Sequence, residues 1–370
     1  MKGEKIRVGL VGANVHYGWG ARAHVPALLA LPEFELVAVC TQHEETARET
    51  AERFGIRLTF TDYGEMARHP EVDLVSVSVK APTHYEVVMA ALDAGKHVYC
   101  EWPLGANTRE ARAMAKLARQ KQVVTMVGLQ ARGSPHLLRL KELLDEGYVG
   151  KLLSCHMTML LPGLLNRTSG RAWTADRVQG SHTLSISAGH GLDAFCYAVA
   201  EFRDFSAMVA TQVRECRLLD TGQVVQVTAP DNVLINGTLT NGAVASVHIA
   251  SVPYHGSGFR VELYGTEGTL FLSSREMFQL TSDVKLEGAR ADRAALAELP
   301  LSDRVTWVPP GTPGGAPFNV AQMFRRMAQG IREGSPVEPD FTQAVKRHEL
   351  LNLIERAAEK GNRRQVLPAA

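Results

Sequence analysis

The first 130 residues alternate short β-branched runs with amphipathic helices, and the first strand runs into a glycine-bearing turn, IRVGLVGANVHYGWGARAHVPALLAL. That alternation constrains the fold most, because parallel strands cannot be joined by tight turns and need a helical crossover between them. IRVGLVGA, ELVAVCT, LVSVSVK, HVYCEW and VVTMVGL are the strand candidates. Helix starts are marked by Thr41 with Glu44 and by Asn107 with Glu110, each at the spacing of a capping box. Ser134, Pro135 and Gly147 bracket another helix, SPHLLRLKELLDEG. The expected class is α/β, with a doubly wound parallel sheet over residues 1–130.

Length then requires a second body, since 370 residues exceed one ordinary core. After residue 130 the texture shifts to hairpins: LLSCHMTMLL, FSAMVATQV, VLINGTLTNGAVASVHIA and FRVELYGTEGTLFLS, with TNG and GTEG as turn signals. Residues 131–370 are therefore expected to form an α+β domain with an open-faced, largely antiparallel sheet for substrate binding and oligomerisation. An open sheet face points to a homodimer or homotetramer. Residues 287–317, with VPPGTPGGAP, read as a long mobile loop, followed by helices within 318–360.

Charge excludes some classes of partner. With 40 Lys+Arg against 39 Asp+Glu the formal charge is +1, and no like-charge run provides a footprint for direct nucleic-acid binding. The amino-terminal apolar run is too short for a signal peptide or a membrane span, so a soluble, cytoplasmic protein is expected. Cys40, Cys100, Cys155, Cys196 and Cys216 show no CxxC spacing, so they read as small buried residues in a reducing compartment, and no metal is expected.

The glycine turn points to a ligand. Such a turn lets backbone amides and a helix's positive end approach a pyrophosphate with no Cβ in the way. Gly12 takes the first slot of a GxGxxG pattern, Asn14 the second, and Gly18 or Gly20 the third, with Trp19 in the same turn as a further cofactor contact. Asn14 departs from the pattern but tolerates left-handed geometry better than most residues. About twenty residues on, the second strand ends in Thr41, Gln42 and His43, with no carboxylate facing a ribose. NADP or NAD is the expected cofactor.

VGLVGAN…HVPAL, APTHYEVVMAALDAGKHVYCEWPL, GLQARGSPHLLRLKELLDEGYVGKL and YGTEGTL resemble the glucose-fructose oxidoreductase, inositol dehydrogenase and rhizopine-catabolism (Gfo/Idh/MocA) family over nearly the whole chain. HYEVVM, the EW pair and LQ.R.SP resemble in particular its branch of fungal galactose-pathway repressors. The resemblance implies a Rossmann domain followed by an open-faced mixed sheet. In the family's enzymes the fifth strand ends in Glu-Lys-Pro, whose lysine assists proton transfer at the carbon that exchanges hydride. Here Glu101, Trp102 and Pro103 hold those slots, and an indole cannot titrate.

Other residues are carried over on the same basis. SHTLSISAGHGLDAFCYAV resembles the family's Asp-x-x-x-His-x-x-Asp helix, with His190 and Asp193 in place and Ile186 where the first acid would be. One helical face would carry both, so the carboxylate can orient the imidazole as an acid/base pair, with His190 also touching substrate. Lys80 ends the LVSVSVK strand, where doubly wound sheets open their ligand crevice; a desolvated amine there can act as a base, and a solvated one only contacts the cofactor. Pro82 and His84 match the family's turn beneath the nicotinamide. Glu101, Trp102 and Gln130 complete the cofactor set. Trp102, Arg132, Arg171 and Trp173 are candidate substrate contacts, Arg132 having the alternative of pairing with an acid.

Two functions follow as expectations. One is hydride transfer on a sugar, polyol or sugar-derived acid without the family lysine. The other is a nicotinamide-responsive regulator without turnover, which needs only the cofactor site and a partner surface.

Overall fold

A computed structural model describes residues 4–16, 18–361 and 364–367. It divides the chain into two compact units, residues 1–133 with 307–348, and residues 134–306 with 349–370.

In the first unit, β1 (Ile6–Val11), β2 (Phe34–Cys40), β3 (Leu58–Phe60), β4 (Leu74–Val77), β5 (His97–Glu101) and β6 (Thr125–Gly128) form one parallel sheet in the order β3-β2-β1-β4-β5-β6. The crossovers are α1 (Val25–Ala30), α2 (Glu44–Phe54), α3 (Tyr63–Arg68), α4 (Ala81–Asp93) and α5 (Thr108–Lys121). The order reverses at β1 and β4, which places the carboxyl-end crevice at the glycine turn. Asn107 caps α5 as its spacing predicts, accepting from the Glu110 N–H at 3.1 Å. Thr41 does not cap α2. His43 is the N-cap, and the Thr41 hydroxyl lies 2.9 Å from the His43 carbonyl and 2.7 Å from Thr46 Oγ1.

The first unit recruits a helix from far down the chain. Val320, Ala321, Met323, Phe324, Met327 and Ala328 of α8 (Ala316–Glu333) join the core built on Ile6, Val8 and Leu10 of β1. Phe324 stacks on Tyr99 of β5 at 4.6 Å and meets Phe34 of β2 edge-on at 5.4 Å. The first unit takes in 307–348 from far down the chain because α8 supplies its sheet with apolar cover.

In the second unit, β7 (Leu152–Pro162), β8 (Phe202–Ala210), β11 (Asn232–Leu239), β12 (Val244–Val252), β13 (Gly258–Gly265), β14 (Gly268–Ser274), β15 (Val284–Arg290), β16 (Ala297–Glu298) and β17 (Gln365–Val366) form a nine-stranded sheet. β7 and β12 pair in parallel and the remaining ladders are antiparallel. α6 (Pro135–Asp145) and α7 (Ala188–Ala198) belong to this unit, and β9 (Glu215–Arg217) with β10 (Val224–Gln226) makes a separate hairpin. A Cβ on Gly191 would lie 3.0 Å from Met159 Cε and 3.2 Å from Met157 Cε, so α7 rests directly on β7.

Residues 287–317 are more ordered than their composition suggests. They contain β16, the buried side chains Val305 and Val308, and Trp307, whose N–H donates to Gln322 Oε1 at 2.7 Å. The last helix, α9, spans Phe341–Glu359. All five cysteines are buried and none forms a disulfide. Among the described residues no helix is long and apolar enough to cross a membrane, and no cluster of side chains suits a metal ion.

Candidate functional site

The glycine turn has the geometry of a phosphate cradle. Gly12 (φ +96°) and Gly18 (φ +112°) hold left-handed backbone that a side chain disfavours. A Cβ on Gly12 would lie 2.3 Å from the Ser78 carbonyl oxygen, and one on Gly20 would lie 2.9 Å from the Gly12 oxygen. Gly20 is thus the close-packing glycine and Gly18 supplies only the conformation. Asn14 is not left-handed, contrary to the expectation; instead its Oδ1 accepts from the His16 N–H at 2.9 Å and pins the loop. The chain then enters a π-helical turn, Gly20–His24, before α1. Two buried polar atoms here lack a partner among the described residues, Ser78 Oγ and Trp19 Nε1. An orphaned hydroxyl in the residue that closes on Gly12 fits a site built for an external polar group.

At the end of β2, the Thr41 hydroxyl is taken by His43 and Thr46 as described. Gln42 and His43 line an open depression with His16, Glu44, Glu45, Arg48, Glu49 and Glu52.

At the end of β5, two buried histidines fix the turn that bears Trp102. His84 lies 2.8 Å from the Pro103 oxygen through Nδ1 and 3.1 Å from the Val79 oxygen through Nε2. Burial drives its pKa down against those backbone bonds, so it ties the turn before α4 to the turn after β5. His24, fully buried, places Nδ1 2.8 Å from Ser76 Oγ and Nε2 2.7 Å from Glu101 Oε1. Gln130 Nε2 donates to both Glu101 oxygens at 2.8 and 2.6 Å. A Cβ at Gly128 would lie 2.7 Å from that carboxylate, so glycine there leaves it room. Glu101 and Gln130, both candidate cofactor contacts, are thus brought together with His24 as an anchor for the strand end.

Trp102 itself is only 4% exposed, and its ring lies 4.7 Å from that of His348 in α9. The end of β5 therefore leads into a buried aromatic pair. His348 Nε2 has no partner among the described residues, and burial takes its pKa down to about 4. The neutral ring is the one the fold accepts, so its contribution to stability is fully present above the ordinary histidine value near 6.5 and is lost as pH falls from there toward 4. His348→Phe is expected to remove about 2–3 kcal/mol of that acid-side loss, measured as a shallower fall of unfolding free energy between pH 7 and 4. An unchanged slope would show that His348 is protonated in the fold.

The remaining candidates fall in both units. Lys80 is the exposed N-cap of α4 and Pro82 is exposed in its first turn, so the desolvation a lysine base needs is missing. Arg132 is buried and pairs with Glu338 at 3.4 Å, the alternative that the sequence left open. Arg171 is exposed and Trp173 half-buried, both in a 3-10 turn, Ser169–Ala175. His190 and Asp193 lie one turn apart in α7, where every residue from Ala188 to Cys196 is buried, Asp193 completely. Ile186 falls in a π-helical turn, Thr183–Ser187, that leads into α7.

His24, Ser76, Ser78, His182 and His348 had no assigned role from sequence. His182 accepts from the Ser185 N–H at 3.4 Å, and burial, aided by Arg177, takes its pKa down to about 4. Only His24 carried a visible signal, as the polar residue in the otherwise apolar helix start AHVPAL.

Residues 6–129 match the oxidoreductase family with an NAD-binding Rossmann fold, Gfo/Idh/MocA. Residues 135–274 match the C-terminal domain of Gal80p. The galactose/lactose metabolism regulatory protein GAL80 of Saccharomyces cerevisiae is 30% identical over 319 residues, 79% of this chain and 72% of that one. Levoglucosan dehydrogenase of Pseudarthrobacter phenanthrenivorans is 29% identical over 313 residues, 78% of each chain. Among solved structures, levoglucosan dehydrogenase in complex with NADH and L-sorbose has the same fold, with a TM-score of 0.84 at 24% identity over 99% of this chain and 100% of that one. A super-repressor mutant of Gal80p from Saccharomyces cerevisiae gives 0.86 at 24% identity over 98% and 97%. Dehydrogenases and regulators both stand among these relatives, and the chain belongs to the Gfo/Idh/MocA oxidoreductase family, whose first domain is an NAD-binding Rossmann fold.

Proposed function

We propose that the protein is an NAD(P)-dependent oxidoreductase acting on a CH–OH group of a sugar, polyol or sugar-derived acid, by a route that uses no lysine at the end of β5. The observation that carries the reading is the cradle at Gly12, with its clash-limited backbone and the orphaned Ser78 hydroxyl. Gly12, Gly18, Gly20 and Ser78 would hold the pyrophosphate and its neighbouring ribose, with Lys80 at the exposed mouth. A bound nicotinamide supplies the hydride acceptor. The protein must then take the hydroxyl proton as the carbonyl forms, and His190, oriented by Asp193 one turn on, is the group assigned to that task. Trp102 cannot titrate, so its part is to fill and shape.

A regulator without turnover is the second reading, favoured by Trp102 in the lysine slot and by the match of residues 135–274 to a Gal80p domain. One experiment separates the two. Purified protein is titrated with reduced dinucleotides by tryptophan fluorescence, then offered sugars, polyols and sugar acids with the oxidised forms while absorbance of reduced nicotinamide is followed. Turnover on any of them supports the oxidoreductase; tight dinucleotide binding with no turnover across the panel supports the regulator.

A further inference from the structure

We propose that the adenosine end of this dinucleotide site selects NAD(H) over NADP(H). The inference rests on the reading of the Gly12 turn as a dinucleotide cradle and concerns the depression beside it, where the ribose after β2 is received. The sequence shows no acid at the end of β2, which by itself leaves NADP open. In the folded chain, however, α2 turns Glu44, Glu45, Glu49 and Glu52 onto the same depression as Gln42 and His43. Three cationic or titratable side chains share it, His16, His43 and Arg48. Two of those are already committed to carboxylates: His16 Nε2 lies 2.9 Å from Glu49 Oε2, and Arg48 donates to Glu44.

The Thr41 hydroxyl, the donor nearest the strand end, is internally satisfied by His43 and Thr46. Four carboxylates against one arginine and two histidines leave the depression net negative at neutral pH. A 2′-phosphate carries about −1.5 to −2 charges and offers only acceptors, so it meets repulsion and finds few uncommitted donors. Ribose hydroxyls offer donors, which carboxylates accept.

The test is a fluorescence titration of the full-length protein with NADH and with NADPH, at about 0.01 M and about 0.15 M ionic strength, where Debye lengths are about 30 and 8 Å. NADH is expected to bind about tenfold tighter than NADPH at low salt, with the ratio narrowing at high salt as the exposed carboxylates are screened. Replacing two acids together, Glu45→Gln with Glu49→Gln, is expected to tighten NADPH roughly tenfold and so close most of the gap. NADPH binding as tightly as NADH in the unmodified protein, or a ratio unmoved by the double substitution, overturns this inference alone. Failure of a folded protein to bind either dinucleotide overturns it together with the function proposed above.

Discussion

Gly12→Ala is expected to weaken reduced dinucleotide binding by at least about 100-fold and to lower stability by about 1–3 kcal/mol. The added Cβ would stand 2.3 Å from the Ser78 carbonyl oxygen and 2.8 Å from Val79 Cγ1, at a residue whose φ is +96°. Neither neighbour can retreat cheaply, because the Ser78 N–H donates to the Val11 carbonyl at 2.9 Å and the Gly12 N–H donates to the Cys40 carbonyl at 3.0 Å. The loop must therefore lift off β4, taking its amides away from the phosphates they would bind. Gly18→Ala is the control. Among the described residues its Cβ would meet only the Gly12 oxygen, at 3.7 Å, so it carries the conformational strain without the clash and should cost binding much less. Fluorescence titration and thermal melting of both variants measure this. Gly12→Ala binding within about threefold of the unmodified protein would rule out the cradle.

What could be read from sequence followed the range of the interactions concerned. The parallel sheet was legible because each strand and helix announces itself within a dozen residues, through β-branched runs and caps such as Asn107 with Glu110. β3, the three residues Leu58–Phe60, has too little length to show a period and was missed. Thr41 with Glu44 has the spacing of a capping box, but the helix starts two residues later than that box requires, at His43. α8 was expected as a helix, yet its partner was not readable, since Phe324 meets Tyr99 across more than half the chain. The role of His24 likewise depends on Ser76 and Glu101, 52 and 77 residues away. For the site, the glycines were local signals, and Gly12 and Gly18 have positive φ. Arg132 and Lys80 were not decidable, because burial is a property of the fold: one guanidinium is buried and reaches the exposed Glu338, and one amine is exposed.

The turn after β5 sets the final expectation. Trp102 and His348 meet after β5 as a buried ring pair, and Lys80 is exposed, so neither position presents a buried amine. In α7, by contrast, His190 is followed one turn later by a completely buried Asp193, a spacing at which a carboxylate can orient an imidazole. His190→Asn, which keeps a similar volume and hydrogen-bonding capacity but cannot titrate, is expected to lower kcat by about 10²–10⁴-fold. Dinucleotide affinity should stay within about twofold, because the Gly12 turn and α7 belong to different units of the chain. The acid limb of the kcat/KM profile should also vanish, since that limb reports the base that must be free of its proton. His182→Asn serves as the comparison, because His182 is half-buried with its pKa taken down to about 4 and caps the turn that leads into α7. If His190→Asn turns over normally while the His182 variant loses the acid limb, the proton acceptor is His182 and the assignment moves one π-helical turn back along the chain.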